Sequence, residues 1–194
     1  MSVADRADSA PAPVPADGKP APGDARVIRV GVTGHRTFDD PCGAARRVRE
    51  GLRRVLALAG DEGDGARARL EMISALAEGA DRLVAREALA LPGTTLSVVL
   101  PFTADDYARD FETEESKREF AELLARAQDV EVMPATPTRE AGYEMQGRRI
   151  ADRSDVLVAV WDGEGSRGQG GTAEIVAYAA ENGALLMWVR VQRP

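Results

Sequence analysis

Short apolar runs alternate along this chain with longer stretches in which apolar residues recur every three to four positions. Val27-Ile28-Arg29-Val30-Gly31-Val32 is the first run; Leu70 to Leu76, Thr95 to Leu100, Val130 to Met133, Asp155 to Trp161 and Leu185 to Val189 follow. Runs of this length and apolarity predict strands. Between them, Val48, Leu52, Val55, Leu56 and Ala59 share one helical face. So do Leu83, Val84 and Ala88, and then Phe120, Leu123, Leu124 and Ala127. Ala141 to Arg153 and Ile175 to Asn182 read as the remaining helices. Near-continuous apolar strands separated by helices predict an α/β fold: one domain with a mostly parallel sheet and helices on both faces.

Local signals mark the joints. Asp39 or Asp40 can cap the first helix, with Pro41 in its first turn. Pro92-Gly93 and Asn182-Gly183 end helices. Ser116-Lys117-Arg118-Glu119 has capping-box spacing. The acidic segment Asp105 to Glu115, with Tyr107 and Phe111 interspersed, reads as a surface excursion in preference to a mobile flap over a site. Residues 1–25 carry Pro11, Pro13, Pro15, Pro20 and Pro22 among Ala, Asp and Gly, and predict a disordered tail preceding a domain over 26–194.

Composition narrows the function. The 194 residues are 44% hydrophobic and 29% charged, with a net charge of −7. That charge argues against sequence-independent nucleic-acid binding, which needs a basic footprint. A small phosphorylated ligand remains compatible with it. The single cysteine, Cys42, and single histidine, His35, leave little for a metal site or a Ser-His-Asp triad, so no metal and no cofactor are expected. No apolar run is long enough to span a membrane and the N-terminus has no apolar signal core, which points to the cytoplasm.

Three turns at strand carboxyl ends carry the candidate chemistry: Thr33-Gly34-His35-Arg36, Glu78-Gly79-Ala80-Asp81, and Asp162 to Thr172. Ligands of parallel α/β sheets collect at such ends. In the third turn a strand feeds Gly170-Gly171-Thr172, which opens a helix. Unpaired N–H groups at a helix start suit a phosphate, and glycines let it approach. Thr172 can cap the helix or bind an oxygen. His35 and Arg36 can touch phosphate, or Arg36 can pair with Asp39. Asp81 suits a helix's first turn on electrostatic grounds alone. Asp162 can hold a ribose hydroxyl or serve as a turn residue. Glu174 can contact ribose, act as an acid-base, or simply complement the helix dipole. Neither G-x-G-x-x-G nor G-x-x-x-x-G-K-[ST] is present.

Taken together, Gly31-Val32-Thr33-Gly34-His35-Arg36, Ala77-Glu78-Gly79-Ala80-Asp81 and Gly170-Gly171-Thr172-Ala173-Glu174-Ile175 resemble the SLOG superfamily. This Rossmann-like group includes the LOG (lysine-decarboxylase-like) phosphoribohydrolases and DprA-type proteins. The resemblance covers Val27 to Val191. It implies a Rossmann-like domain that binds a nucleotide or nucleotide-derived ligand, acting as a sensor. It further implies a homodimer and a separate effector protein as partners. The ligand-binding residues it implies are Thr33, Gly34, His35, Arg36, Gly79, Asp81, Asp162, Gly170, Gly171 and Thr172.

An enzymatic alternative is an N-glycosidase acting on nucleoside 5′-monophosphates. LOG enzymes carry P-G-G-x-G-T-x-x-E after a strand and an arginine on the preceding helix. Here the glutamate, Glu174, stands two residues after Thr172 instead of three, and 162–168 replace the Pro-Gly-Gly. The arginine position falls on Gln146, so Arg148 or Arg149 would serve only if the helix were shifted. A third alternative is a scaffold whose glycine turns are purely structural.

Overall fold

The computed structural model of the chain describes residues 26–60, 68–165 and 171–194. The expected tail, 1–25, and Gly170 lie outside the described residues. Strands and helices alternate as β1 (Val27–Gly34), α1 (Pro41–Gly60), β2 (Arg69–Ser74), α2 (Ala80–Leu89), β3 (Thr95–Leu100), α3 (Ala104–Tyr107), α4 (Glu114–Leu124), β4 (Asp129–Val132), α5 (Arg139–Asp152), β5 (Val156–Trp161), α6 (Thr172–Glu181) and β6 (Leu185–Arg190). A 3₁₀ turn, Ala108–Asp110, extends α3.

Every strand pair is parallel, in the order β4-β3-β2-β1-β5-β6. The sheet grows outward from β1 to β4, then resumes with β5 on the other side of β1. That reversal opens a crevice between the carboxyl ends of β1 and β5. This is a Rossmann-like α/β domain.

The two-residue period of each strand divides the core. Val30, Val32, Val98, Val156 and Val158 face α1, α2 and α4, meeting Val48, Leu52, Val84 and Phe120. Ile73, Val99 and Leu157 face α5 and α6, meeting Ile150, Ala151, Ile175 and Ala179. Gly31 lies under α5, where a Cβ would come within 2.8 Å of the Ile150 side chain. Among the described residues no helix is long and apolar enough to cross a membrane.

Three local expectations change. The cap of α4 is Thr113, whose side chain accepts from the Ser116 N–H; the Ser116 hydroxyl is engaged elsewhere, by Glu78 and Arg82. The 105–115 segment is no surface excursion: Tyr107 and Phe111 are each 1% exposed and form a ring cluster with Phe120, Tyr107 meeting both phenylalanines edge-on. Their acidic neighbours Asp106 and Asp110 turn outward to Arg139 of α5. Finally, β2 stops at Ser74 and Leu76 adopts φ 59, a left-handed conformation unfavourable for a leucine. Its N–H donates to Ser74 Oγ (3.0 Å) and its carbonyl accepts from Arg82 Nε (3.0 Å), which together hold it there.

Candidate functional site

The first two turns are joined back to back. The Ala80 N–H donates to the His35 carbonyl at 3.0 Å. Gly79, at φ 76, caps α2 and lies so close to the 35–36 backbone that a Cβ would fall 2.6 Å from the His35 carbonyl oxygen. The first turn is also tied to β5, because the His35 N–H donates to the Val160 carbonyl at 3.1 Å. Main-chain contacts therefore place the first turn between the second and the strand that leads to the third.

A cavity of about 180 Å³ opens where the three turns meet. Thr33, Gly34 and Arg36 line it from the first turn, Asp81 from the second, and Gly171 and Thr172 from the third. Tyr107 of α3 and Tyr143 and Gln146 of α5 complete the wall. Arg36 is exposed, with its guanidinium 5.9 Å from the centre of the Tyr143 ring.

Helix α6 enters this cavity by its N-terminus. The cap is Gly171 and among the described residues no side chain caps the helix; the expected capping role does not fall to Thr172, which is the first helical residue. The N–H groups of Glu174 and Ile175 turn back to the Gly171 carbonyl, at 3.1 and 3.3 Å. The earlier N–H groups have no acceptor within the helix and carry its positive end. Glycine at the cap keeps the approach open.

Asp81 sits in the first turn of α2 but does not serve that helix. Its carboxylate reaches back across the β2–α2 turn and accepts from the Ala75 N–H (3.1 Å) and the Ser74 hydroxyl (3.3 Å). It is 7% exposed. Burial pushes its pKa up to about 6, although the Ala75, Ser74 and Ala77 hydrogen bonds and nearby Arg36 pull the other way. A carboxyl that titrates near neutrality therefore faces the cavity.

Two other buried polar side chains line the cavity without protein partners. Tyr107 is 1% exposed and Gln146 is 8% exposed. The described residues offer no hydrogen-bond partner to the Tyr107 hydroxyl or to the Gln146 amide; the polar capacity of both faces the cavity. Burial, ahead of the repulsion from Asp81, drives the Tyr107 phenol well above its ordinary pKa, so it stays protonated. Gln146 is the position on which the resemblance to the LOG pattern places an arginine. Tyr107 has no mark in the sequence beyond its place in an acidic segment.

Nothing in the sequence marks Arg82 either. It is 2% exposed, and its guanidinium donates to the Leu76 carbonyl, the Ser116 carbonyl and hydroxyl, and Glu119. It stacks on Phe111 at 4.5 Å. Burial lowers its pKa. Arg82 thus ties the β2–α2 turn to α4. A roomier cleft of about 530 Å³ lies between α2 and α4, lined by Glu78, Arg82, Arg86 and Glu119. Both of its arginines engage Glu119, and of its lining side chains only Arg82 Nη2 is left buried without a partner among the described residues. The smaller cavity, where the three turns and the start of α6 converge, is the better candidate site.

Several candidates fall elsewhere. His35 Nε2 lies 3.1 Å from Asp162 Oδ1, and Arg193 Nε lies 2.7 Å from Asp162 Oδ2. Neither His35 nor Asp162 lines the cavity; with Arg193 they pin the end of the chain to the first turn. Burial would raise the Asp162 carboxyl, but the Glu164 N–H, His35 and Arg193 outweigh it and hold the pKa at about 2. Gly79 shapes the turn without lining the cavity. Glu174 is exposed and outside the lining. Arg148 pairs with Glu144 at 2.6 Å and Arg149 with Glu131 at 2.9 Å, both on the exposed side of α5.

No protein-family model and no curated protein matches the chain. Among solved structures, it is similar to DNA processing protein A from Helicobacter pylori, whose description concerns its mode of single-stranded DNA binding. The TM-score is 0.53 at 15% sequence identity, over 83% of this chain and 64% of that one. The likeness lies in the Rossmann-like fold, and this chain spans less than two thirds of its neighbour's length. One expectation is corrected by it. Net charge averages over a whole surface, and a neighbour of this fold binds single-stranded DNA, so the charge of −7 does not exclude nucleic acid as a partner.

Proposed function

We propose that this chain belongs to the SLOG superfamily and binds a nucleotide or nucleotide-derived ligand at the β1–β5 crevice, in the manner of a sensor. The ligand's phosphate lies on the N–H groups at the start of α6, at Gly171 and Thr172, faced by Thr33, Gly34 and Arg36. One observation carries this reading: turns from three distant parts of the chain line a single cavity entered by a helix N-terminus that no side chain of the described residues caps. Partial positive charge from the helix and the full charge of Arg36 together suit an anion. The hydrolase alternative gains no support from Arg148 and Arg149, which are paired on the exposed side of α5.

Equilibrium dialysis against AMP, ADP-ribose, cyclic ADP-ribose and a short oligodeoxynucleotide tests the proposal. The oligodeoxynucleotide belongs in the panel because the structural neighbour binds single-stranded DNA. Wild-type protein is expected to retain at least one nucleotide, and Gly171→Val to lose it with its thermal transition unchanged. Gly171 has φ −72, which valine can adopt without backbone strain, and the thermal transition reports whether the fold is kept. Release of free adenine from AMP would establish hydrolysis instead. No retention of any probe would favour the scaffold reading.

A further inference from the structure

The nucleotide-binding reading leaves three side chains of the cavity unexplained. Asp81, Tyr107 and Gln146 are 7%, 1% and 8% exposed, and all three line the cavity. Buried polar groups are normally hydrogen-bonded, and leaving one unsatisfied is unfavourable. Neither the Tyr107 hydroxyl nor the Gln146 amide is among the buried atoms sealed off without a partner, so both are open to whatever fills the cavity. Asp81 already accepts from Ser74 and Ala75, yet a carboxylate has further lone pairs to offer.

The chemistry of the cavity differs between its Asp81 end and its α6 end. The α6 end presents N–H donors and positive partial charge. The Asp81 end presents an acceptor that repels phosphate. In strand order, Asp81 follows β2 and α6 follows β5, with β1 between them. The two ends are thus about two strand spacings, roughly 10 Å, apart. A ligand group at the Asp81 end must donate to a carboxylate and either donate to or accept from an amide and a phenol. A hydroxyl does all of these. The cavity volume of about 180 Å³ is below the roughly 300 Å³ at which pockets begin to enclose a whole drug-sized ligand, so only part of a nucleotide is enclosed.

Resting on the nucleotide-binding reading, we propose that Asp81, Tyr107 and Gln146 form a hydroxyl-recognition subsite that holds the pentose diol, so that the cavity encloses a ribose phosphate and leaves the base at its mouth. The site then selects ribonucleotides over nucleotides lacking the diol. Sites built to hydrogen-bond a hydroxyl reject analogues without it strongly, because their own buried groups are left unpaired.

Binding of AMP, 2′-deoxy-AMP, 2′,3′-dideoxy-AMP and ribose 5-phosphate to the full chain is compared by titration calorimetry. Wild-type protein is expected to bind ribose 5-phosphate and AMP, and the dideoxy nucleotide at least tenfold more weakly than AMP. Tyr107→Phe and Gln146→Leu preserve packing volume. Each is expected to weaken AMP binding while narrowing the AMP-to-dideoxy ratio, an effect a merely structural role would not produce. Equal binding of AMP and its dideoxy analogue, with both variants unchanged, would overturn the subsite and leave nucleotide binding standing. Failure of wild-type protein to bind any of the four would overturn both readings together.

Discussion

Gly79 and Arg36 touch through their main chains. A Cβ on Gly79 would overlap the Arg36 carbonyl, and the glycine's φ of 76 is itself unfavourable for any other residue. This contact holds the second turn against the first and so sets where Arg36 stands at the cavity. Gly79→Ala is expected to combine backbone strain with overlap and to destabilise by about 3 kcal/mol or more. Gly93 is the matched control: it has the same φ of 76, but a methyl added there would find its nearest neighbour, the Arg69 Cβ, 3.9 Å away. Gly93→Ala should cost only about 1 kcal/mol. Urea denaturation of the two variants measures the difference.

Asp81 predicts an unusual pH dependence. Its pKa is raised by burial to about 6 in the folded state, from an ordinary value of 3.8. The native state therefore takes up this proton before the unfolded state does as pH falls. Stability from this group rises as pH drops from about 6 to about 4, by about 3 kcal/mol in all. Asp81→Asn removes the titration. The stability difference between wild type and variant should drift by about that amount between pH 7 and pH 4, with wild type gaining at the lower pH. A constant difference across the range would refute the assignment.

Arg82 is expected to be a principal structural residue of the site's frame. Its removal takes the side-chain donor from the Leu76 carbonyl, one donor from the Ser116 carbonyl, and leaves Glu119 with Arg86 alone. Arg82→Ala should destabilise by about 3–5 kcal/mol, because a partly buried charge network loses its centre. Lysine has one compact donor group in place of the guanidinium fork, so Arg82→Lys should recover less than half of that loss. Chemical denaturation distinguishes these values from the fraction of a kcal/mol typical of an exposed arginine.

The surface arginines of α5 supply a negative prediction. Arg148 and Arg149 are exposed and form ion pairs with Glu144 and Glu131. Such pairs contribute at most about 1 kcal/mol. Arg148→Ala and Arg149→Ala should leave AMP affinity unchanged in the dialysis assay. A large loss of affinity, or loss of adenine release where that is observed, would bring the hydrolase reading back.

The His35–Asp162–Arg193 cluster predicts a stability effect instead of a binding effect. Asp162→Ala leaves His35 and Arg193 without their carboxylate. The Asp162 carboxyl is held at about 2, below its ordinary 3.8, so its contribution is full above about pH 4 and is lost as pH falls towards 2. The variant should be less stable by about 2 kcal/mol at pH 7, and the gap should close as the solution is acidified. Thermal unfolding at a series of pH values tests the sign.

Local pattern is sufficient for the architecture. Apolar runs such as 95–100 and 155–161 become strands, and the spacing of Val48, Leu52 and Val55 becomes the inner face of α1. These choices depend on neighbours a few residues away, and such periodicity is written directly in the chain. The cap of α4 lies at Thr113 and not at Ser116 because Ser116 is drawn into the distant Glu78–Arg82 contact. No local signal reports a partner that far along the chain.

Assembly of the cavity depends on the fold. Thr33, Asp81 and Thr172 are each visible as turn residues, but their meeting requires β1 to lie between β2 and β5. His35 and Asp162 look equally well placed in the sequence, and the fold pairs them with each other and with Arg193. Tyr107 looks like part of a polar excursion, and Gln146 like a polar residue on a helix of weak pattern. Their burial without partners arises from where α3 and α5 close over the sheet. Side-chain type and spacing specify elements because helices and strands are governed by short-range sterics and periodic burial. Which polar groups end up unpaired beside one cavity is a property of long-range packing, and that exists only once the elements are assembled.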